Sequence, residues 1–227
     1  MHFIFLFLLL IILFFGPQYW ARHTFRKYAT PLDRIQGTGG ELARHLLDRF
    51  DMKDVGVEKT QPGGDHYDPE TRTVRLSPDN YDQKSLTAVA VAAHEVGHAI
   101  QHHRNESKLA LRTRLIKATQ KAQRIGAGAM LIFPMVMVVT RAPSAGLAML
   151  LIGLVSMGSA ALVHLVTLPV ELDASFGKAM PILKEGYISK QDEEAVNKVL
   201  KAAAWTYVAA SLASLLNVGR WVALLRR

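Results

Sequence analysis

The sequence predicts a mainly α-helical integral membrane protein with about four transmembrane or membrane-associated helices, and three observations support this fold class. The chain of 227 residues is basic, with 27 Lys and Arg against 19 Asp and Glu, yet half of its residues are apolar. Charged and apolar residues are segregated, because four long stretches lack Asp, Glu, Lys and Arg altogether. Uncharged, mostly apolar runs of about 20 residues are typical of membrane-spanning helices. The four stretches are 1–21, 125–140, 145–170 and 202–219.

Composition also excludes several classes of protein. The chain has no cysteine, which rules out a disulfide-stapled secreted domain, thiol catalysis and Cys-ligated zinc. Its apolar half argues against a disordered chain. Because the formal charge of +8 is concentrated between the apolar runs, we interpret it as a sign of membrane orientation and predict no nucleic-acid partner.

Residues 1–21 are predicted to form an N-terminal membrane anchor. Thirteen consecutive apolar residues run from Phe3 to Phe15, and Tyr19 and Trp20 follow where an interfacial aromatic belt is expected. A cleaved signal peptide would carry positive charge before the apolar run and a small-residue cleavage site after it. The first Lys or Arg is Arg22, so we interpret the segment as an uncleaved anchor.

Residues 22–124 form a polar block that holds 18 of the 27 basic residues. Cytoplasmic loops are enriched in Lys and Arg, so the block is predicted to lie on the cytoplasmic side of the plasma membrane. Apolar periodicity predicts three helices here, with Ser85 as the N-cap of the second, and two short runs predict a small β element. The helices are 41–50, 86–101 and 106–124, and the strands are 55–58 and 71–76.

Residues 125–170 are predicted to form a transmembrane helical hairpin, because a short link at 141–144 joins two uncharged runs. Segment 171–201 carries five lysines and is predicted to return to the cytoplasm. Residues 202–227 are predicted to form a C-terminal membrane helix. Its topology stays open, because three arginines follow the apolar run and do not suit an outer tail.

The pentapeptide His94-Glu95-Val96-Gly97-His98 is the strongest functional signal. Residues i and i+4 share one face of a helix, so both imidazoles could bind one Zn²⁺ ion. Glu95 is poorly placed to ligate with them but suits a general base that takes a proton from the attacking water. The motif therefore predicts one zinc ion on His94 and His98, with Glu95 as the catalytic residue. The alternative is a solvated or salt-bridged cluster, which fits poorly within an Ala- and Val-rich helix.

A catalytic zinc ion needs a third protein ligand, and Glu171 is the best candidate. It follows directly after an uncharged run of 26 residues, where a carboxylate must be neutralised, paired or metal-bound. The predicted hairpin would return Glu171 to the side that holds His94 and His98. An acid paired with a lysine is the alternative. His102 and His103 lie beyond His98 along the helix and are interpreted as solvated.

Four motifs spread along nearly the whole chain carry a family resemblance. They are Asp-His-Tyr-Asp-Pro at 65–69, Arg-Leu-Ser at 75–77, the segment 92–101 around the histidines, and Leu-Pro-Val-Glu-Leu-Asp-Ala-Ser at 168–175. Together they resemble the YugP-type family of bacterial membrane zinc metallopeptidases. The resemblance implies a membrane-bound, zinc-dependent endopeptidase with a zincin-like helix, in which the two histidines and the later glutamate are ligands.

A more distant similarity to HtpX-type membrane proteases implies the same order of motif, hairpin and glutamate. Those proteases usually carry Asp four residues after the ligand glutamate, where it contacts a ligand histidine. This chain has Ser175 at that position, and Asp173 would point elsewhere on a helix. The resemblance therefore leaves open which residues orient His94 and His98.

The predicted function is hydrolysis of peptide bonds in membrane or unfolded proteins, with the lipid bilayer as a further partner. Two alternatives are a zinc-binding membrane scaffold without turnover and a small transporter, which would need intramembrane charges that the apolar runs lack. The strand 71–76 could pair with an extended substrate or only support the helix. His164 could reach the site, although a packed histidine is favoured. The developing oxyanion needs a donor besides zinc, and the polar candidates are His66, Tyr67, Arg72 and Tyr81.

Overall fold

The computed structural model describes residues 16–140, 144, 148, 151, 163 and 166–206. Helix α1 covers 16–27, α2 Gly39–Arg49, α3 Pro78–Asp82, α4 Leu86–His103 and α5 Ser107–Thr140. Helix α6 covers 166–172 and continues into a π-helix, Asp173–Ala179, which α7, Met180–Lys184, follows directly. A 3₁₀ turn at Lys190–Asp192 leads into α8, which covers 193–206.

A small three-stranded sheet lies between α2 and α3, in the order β1–β3–β2. Its strands are β1 (Gly56–Lys59), β2 (His66–Asp68) and β3 (Thr73–Leu76). Central β3 pairs in parallel with β1 and antiparallel with β2, so that Val74 lies between Val57 and Tyr67. The two predicted strands are confirmed as β1 and β3. Strand β2 is missing from the prediction because three residues are too few for an alternating pattern to stand out.

Local side-chain contacts explain where two helices begin. The backbone N–H of Glu41 donates to Thr38 Oγ1 at 3.2 Å, and that of Thr38 donates to Glu41 Oε2 at 2.8 Å, which forms a capping box before α2. The Ala88 N–H donates to Ser85 Oγ at 3.1 Å and confirms the predicted start of α4. The N-terminus of helix α4, which carries the histidine motif, is therefore fixed by a side-chain cap.

Helix α4 lies at the centre of the hydrophobic core. Its residues are buried from Leu86 to Gln101, apart from Val91. Leu46 of α2, Leu76 of β3 and Leu183 of α7 are fully buried around it. The many Ala residues of α4 let neighbouring elements approach from several sides, so polar groups on this helix are enclosed by protein.

The closest approach to α4 occurs at Gly97. A Cβ atom at this position would lie 2.8 Å from the backbone oxygen of Ala174 in the π-helix. Only a residue without a side chain fits at this crossing. Gly97 thus lets the segment that carries Glu171 pack directly against the histidine motif.

The prediction of an integral protein of the plasma membrane is wrong for the part of the chain that the structure describes. No helix found there combines the length and apolarity that a bilayer crossing requires. Helix α5 has 34 residues, but Lys108, Arg112, Lys117 and Lys121 are among the basic residues of its first half.

Several predicted membrane segments fall on other parts of the chain. Residues 1–15, 207–227 and most of 141–165 lie outside the described residues. The predicted domain limit between 124 and 125 lies within the continuous helix α5. The remaining domain limits stay predictions.

Candidate metal centre

Two histidines of α4 form one side of the candidate metal centre. His94 and His98 are one helical turn apart, and their ring centroids lie 4.7 Å from each other in an edge-to-face arrangement. Both residues are buried, with 5% and 4% of their surface exposed. The i, i+4 arrangement that the motif predicts is therefore present on a buried helix.

Glu171 of α6 completes the cluster. Its Oε2 atom lies 3.1 Å from Nε2 of His94 and 3.1 Å from Nε2 of His98. Glu171 has no exposed surface, and the three possible ligand atoms all lie within 4.8 Å of one another. The structure thus brings together the three predicted ligands, although 77 and 73 positions of sequence separate Glu171 from the two histidines.

The three side chains fit a zinc ion. Two imidazole nitrogens and one carboxylate oxygen form a common ligand set of catalytic zinc, which keeps another position open. With bonds of roughly 2.0–2.1 Å, the ligand atoms of a tetrahedral ion lie about 3.3 Å apart, close to the 3.1 Å found here. The other carboxylate oxygen of Glu171, Oε1, is buried without a hydrogen-bond partner among the described residues. Such a buried carboxylate suits cation binding.

The surroundings of Glu171 favour its ionised form. Burial by itself would raise the pKa of Glu171, but the charges and hydrogen bonds of His98 and His94 outweigh burial and hold this pKa well below its usual range. Arg112 Nη2 of α5 lies 3.1 Å from Oε1, an ion-pair contact without hydrogen-bond geometry. Glu171 is therefore an anion at neutral pH, as a metal ligand must be. No spacing rule links positions 112 and 171, so the sequence carries no signal for this contact.

Glu95 is buried beside the cluster, with 7% of its surface exposed. Burial raises the pKa of Glu95 to about 7. His94 opposes this shift, whereas the negative charges of Glu171 and Asp65 add to it. The nearby backbone of Tyr67 in β2 also opposes the shift, as the smallest of these effects. In the metal-free chain, the pKa of Glu95 therefore lies near neutrality.

Two neutral side chains contact the outer nitrogens of the histidines. Ser175 Oγ lies 3.0 Å from Nδ1 of His94, and Gln101 Oε1 lies 2.9 Å from Nδ1 of His98. Metal-binding histidines usually have such a partner, which sets the orientation of the ring. Ser175 therefore contacts His94 from the position four residues after Glu171. Gln101 is absent from the predicted set, although its place three residues after His98 on the same helical face is a usable signal.

The four polar side chains predicted as candidate oxyanion donors have other partners. His102 was expected to be solvated, but it is half-buried and contacts Tyr67. His103 is exposed, as expected. His164 lies outside the described residues. The contacts are Tyr67 Oη to His102 Nδ1 at 2.8 Å, His66 Nδ1 to the Gly64 carbonyl oxygen at 2.6 Å, Arg72 paired with Asp54, and Tyr81 beneath Lys59 Nζ.

A cleft of about 540 Å³ opens beside His94 and Glu95. Its volume lies within the range of sites that bind small molecules or peptide segments. Helices α1, α3, α4 and α8 and a turn next to the sheet form its walls. Among the lining residues are Phe25, Asp65, Ser77, Thr87, Val91 and Leu200. His94 and Glu95 therefore face a cleft on one side of the cluster.

Comparison with known proteins agrees with this site. Residues 3–226 match the family described as "Putative neutral zinc metallopeptidase". A curated relative, "Putative membrane protease YugP" of Bacillus subtilis (strain 168), is 40% identical over 223 residues, which cover 98% of this chain and 96% of that protein. No solved structure matches the chain. The matched family therefore spans the histidine motif, Glu95 and Glu171, and the chain belongs to this family of neutral zinc metallopeptidases.

Proposed function

We propose that the chain is a zinc-dependent endopeptidase in which His94, His98 and Glu171 bind one zinc ion and Glu95 is the general base and acid. The position of Glu95 carries the proposal, because this buried carboxylate directly follows His94 and lies beside the cluster. Membership of a zinc metallopeptidase family and the three converging ligand atoms support the same reaction class.

The chemistry divides between the metal and the protein. A bound zinc ion supplies a Lewis acid that polarises the scissile carbonyl and activates water at neutral pH. Glu95 accepts the proton that the attacking water loses and passes it to the departing amine nitrogen. A carboxylate beside the cluster suits both tasks, because it can take up a proton and release it again.

The outer edge of β2 offers a place for an extended substrate. Strand β3 has a partner on each side, so residues 73–76 support the sheet and cannot pair with a substrate. Among the described strands, β2 pairs only with β3, and the backbone of its Tyr67 lies near Glu95. A polypeptide laid along β2 would bring its carbonyl groups toward Glu95. Strand addition requires an extended chain, so we propose unfolded segments of proteins as the substrates.

Cleavage of an unfolded protein tests the catalytic role. Purified protein loaded with Zn²⁺ should generate new termini from casein. Glu95→Gln should keep its zinc and lose at least about 100-fold in turnover, because it cannot take up a proton. Glu70→Gln, at an exposed position away from the cluster, should cleave like the unmodified chain. Equal turnover in Glu95→Gln would refute the catalytic role, and zinc binding without any cleavage would favour a scaffold.

Metal analysis tests the ligand set separately. The unmodified chain should bind one zinc ion per molecule, and Glu171→Gln should lose most of its zinc affinity, because a neutral amide replaces the anionic ligand. Glu70→Gln removes an exposed carboxylate from the turn between β2 and β3 and should keep the metal. Zinc retained at full affinity in Glu171→Gln would refute the proposed third ligand.

A further inference from the structure

Gln101 occupies an unusual place for an uncharged polar residue. It lies on α4 three residues after His98 and has 1% of its surface exposed. A buried amide is costly unless its hydrogen bonds are made. Gln101 makes three: Oε1 lies 2.9 Å from Nδ1 of His98, and Nε2 lies 3.0 Å from the Val170 carbonyl oxygen and 2.7 Å from Asp173 Oδ2.

These partners determine which way the amide faces. A backbone carbonyl and a carboxylate accept hydrogen bonds, so the amide NH₂ must point toward Val170 and Asp173. The amide oxygen is then left for His98, and because it only accepts, Nδ1 of His98 must carry the proton. The other ring nitrogen, Nε2, is turned toward Glu171 Oε2 at 3.1 Å.

Asp173, one of the two acceptors for the Gln101 amide, is itself held by a charged partner. Asp173 pairs with Lys178, which is 8% exposed, and Lys178 Nζ also lies 3.0 Å from Glu106 Oε1. A Cβ atom at Gly177 would overlap the Asp173 carboxylate, so glycine is needed where this carboxylate folds back on the π-helix. The arrangement places an ion pair behind the amide, which keeps the amide from rotating.

We propose that Gln101 is a positioning residue of the metal centre. Its amide oxygen accepts a hydrogen bond from the Nδ1–H of His98, and its NH₂ group connects this ring to the segment that carries Glu171. Val170 directly precedes Glu171, and Asp173 follows two residues later. One side chain therefore links a ligand of α4 to the residues on both sides of the ligand of α6. This inference rests on the proposed ligand set and does not depend on which bond the enzyme cleaves.

The competing view is that Gln101 only joins two helices and has no effect on His98. Gln101→Met separates the two views, because Met has a similar length and makes no strong hydrogen bond. Zinc affinity is measured by competition with a chelator, and a drop of roughly 10- to 100-fold is expected, the usual cost of removing the partner of a ligand histidine. Gln123→Met, at an exposed site on α5, is the matched control and should keep full affinity.

A spectroscopic readout reports on His98 itself. In zinc-loaded protein with ¹⁵N-labelled histidine, the Nδ1 proton of His98 should give a downfield signal that exchanges slowly with water, because Gln101 accepts its hydrogen bond. Gln101→Met should move this signal upfield and speed its exchange while leaving His94 unchanged. Ser175→Ala should change the His94 signal and leave the His98 signal unchanged, since Ser175 contacts Nδ1 of His94.

A second variant keeps the proposal testable if Gln101→Met fails to fold. Asp173→Ala leaves Gln101 in place and removes one of the two acceptors that hold its amide. The amide should then rotate more freely, so the His98 signal should exchange faster with water and zinc affinity should fall by less than in Gln101→Met.

Two results would overturn the proposal. One is full zinc affinity with an unchanged His98 signal in folded Gln101→Met, and the other is an unchanged exchange rate of the His98 signal in Asp173→Ala. Failure of the proposed peptidase activity is recognised separately, because zinc-loaded protein without substitutions would then leave casein intact. The affinity and the His98 signal would still decide the role of Gln101 in that case.

Discussion

Replacing Glu95 with Gln should stabilise the metal-free protein, even though it removes the proposed catalytic group. Glu95 is 7% exposed, and burial raises its pKa from the ordinary value of 4.5 to about 7. The folded chain therefore holds a proton on Glu95 over a pH range in which the unfolded chain has released it. The stability linked to this proton is fully present below about pH 4.5 and is lost as the pH rises through about 7.

The size of the effect follows from the two pKa values. A difference between 4.5 and about 7, at about 1.4 kcal/mol for each pH unit, corresponds to roughly 3 kcal/mol. The neutral amide of Gln does not ionise and so loses no stability as the pH rises. The free energy of unfolding of Glu95→Gln should therefore exceed that of the unmodified chain by about 1 kcal/mol at pH 5 and about 3 kcal/mol at pH 8.

Urea unfolding followed by circular dichroism at several pH values measures this difference. A chelator must be present, because a bound cation would favour the charged carboxylate. Glu194→Gln is the control, because Lys198 lowers the pKa of exposed Glu194 and the trend with pH should have the opposite sign. A difference for Glu95→Gln that stays constant between pH 5 and pH 8, or falls, would refute the reasoning.

Two further substitutions test contacts around the cluster in the metal-free protein, again by urea unfolding. Gly97→Ala should cost about 1–3 kcal/mol, because the new Cβ would lie 2.8 Å from a backbone oxygen of the π-helix. Gly128→Ala meets nothing within 4 Å and should be neutral or stabilising by up to about 1 kcal/mol. Arg112→Met should cost about 1–3 kcal/mol because buried Glu171 Oε1 loses its cation, whereas exposed Arg114→Met should stay within about 0.5 kcal/mol. Equal effects within either pair would contradict the contact in question.

Local relations along the chain were predictable. The positions of His94 and His98 on one face follow from helical geometry alone, and Ser85 marks the start of the helix that carries them. Glu171 was also predictable, because a carboxylate that directly follows a long uncharged run needs a partner. For the histidines and Ser85 the signal lies within one or two helical turns, and for Glu171 it lies in the uncharged run that directly precedes it.

Contacts that depend on distant parts of the chain were not predictable from spacing. The Arg112 contact to Glu171 requires α5 and α6 to pack together, and the Tyr67 contact to Glu95 requires a strand of three residues. Gln101 is an intermediate case, since its distance from His98 is local but its other two partners lie beyond α5.

Hydropathy led to the main error. The long uncharged runs predicted membrane-spanning helices, yet none of the helices within the described ranges meets the requirement for a span. In α5 the uncharged run 125–140 continues a helix whose first half is rich in Lys and Arg. The composition of residues 125–140 shows that this run is apolar, but it does not show that the helix begins at Ser107.

The distance in sequence between the histidines and Glu171 has a consequence for folding. A zinc ion bound by all three would act as a reversible cross-link across a loop of 73 residues, and it would bind the folded chain in preference to the unfolded one. At free zinc about 100-fold above its dissociation constant, such an ion adds about 2.7 kcal/mol to the free energy of unfolding. The supply of zinc would then set how long the protein survives as well as how fast it works, so a cell short of zinc would lose the enzyme itself.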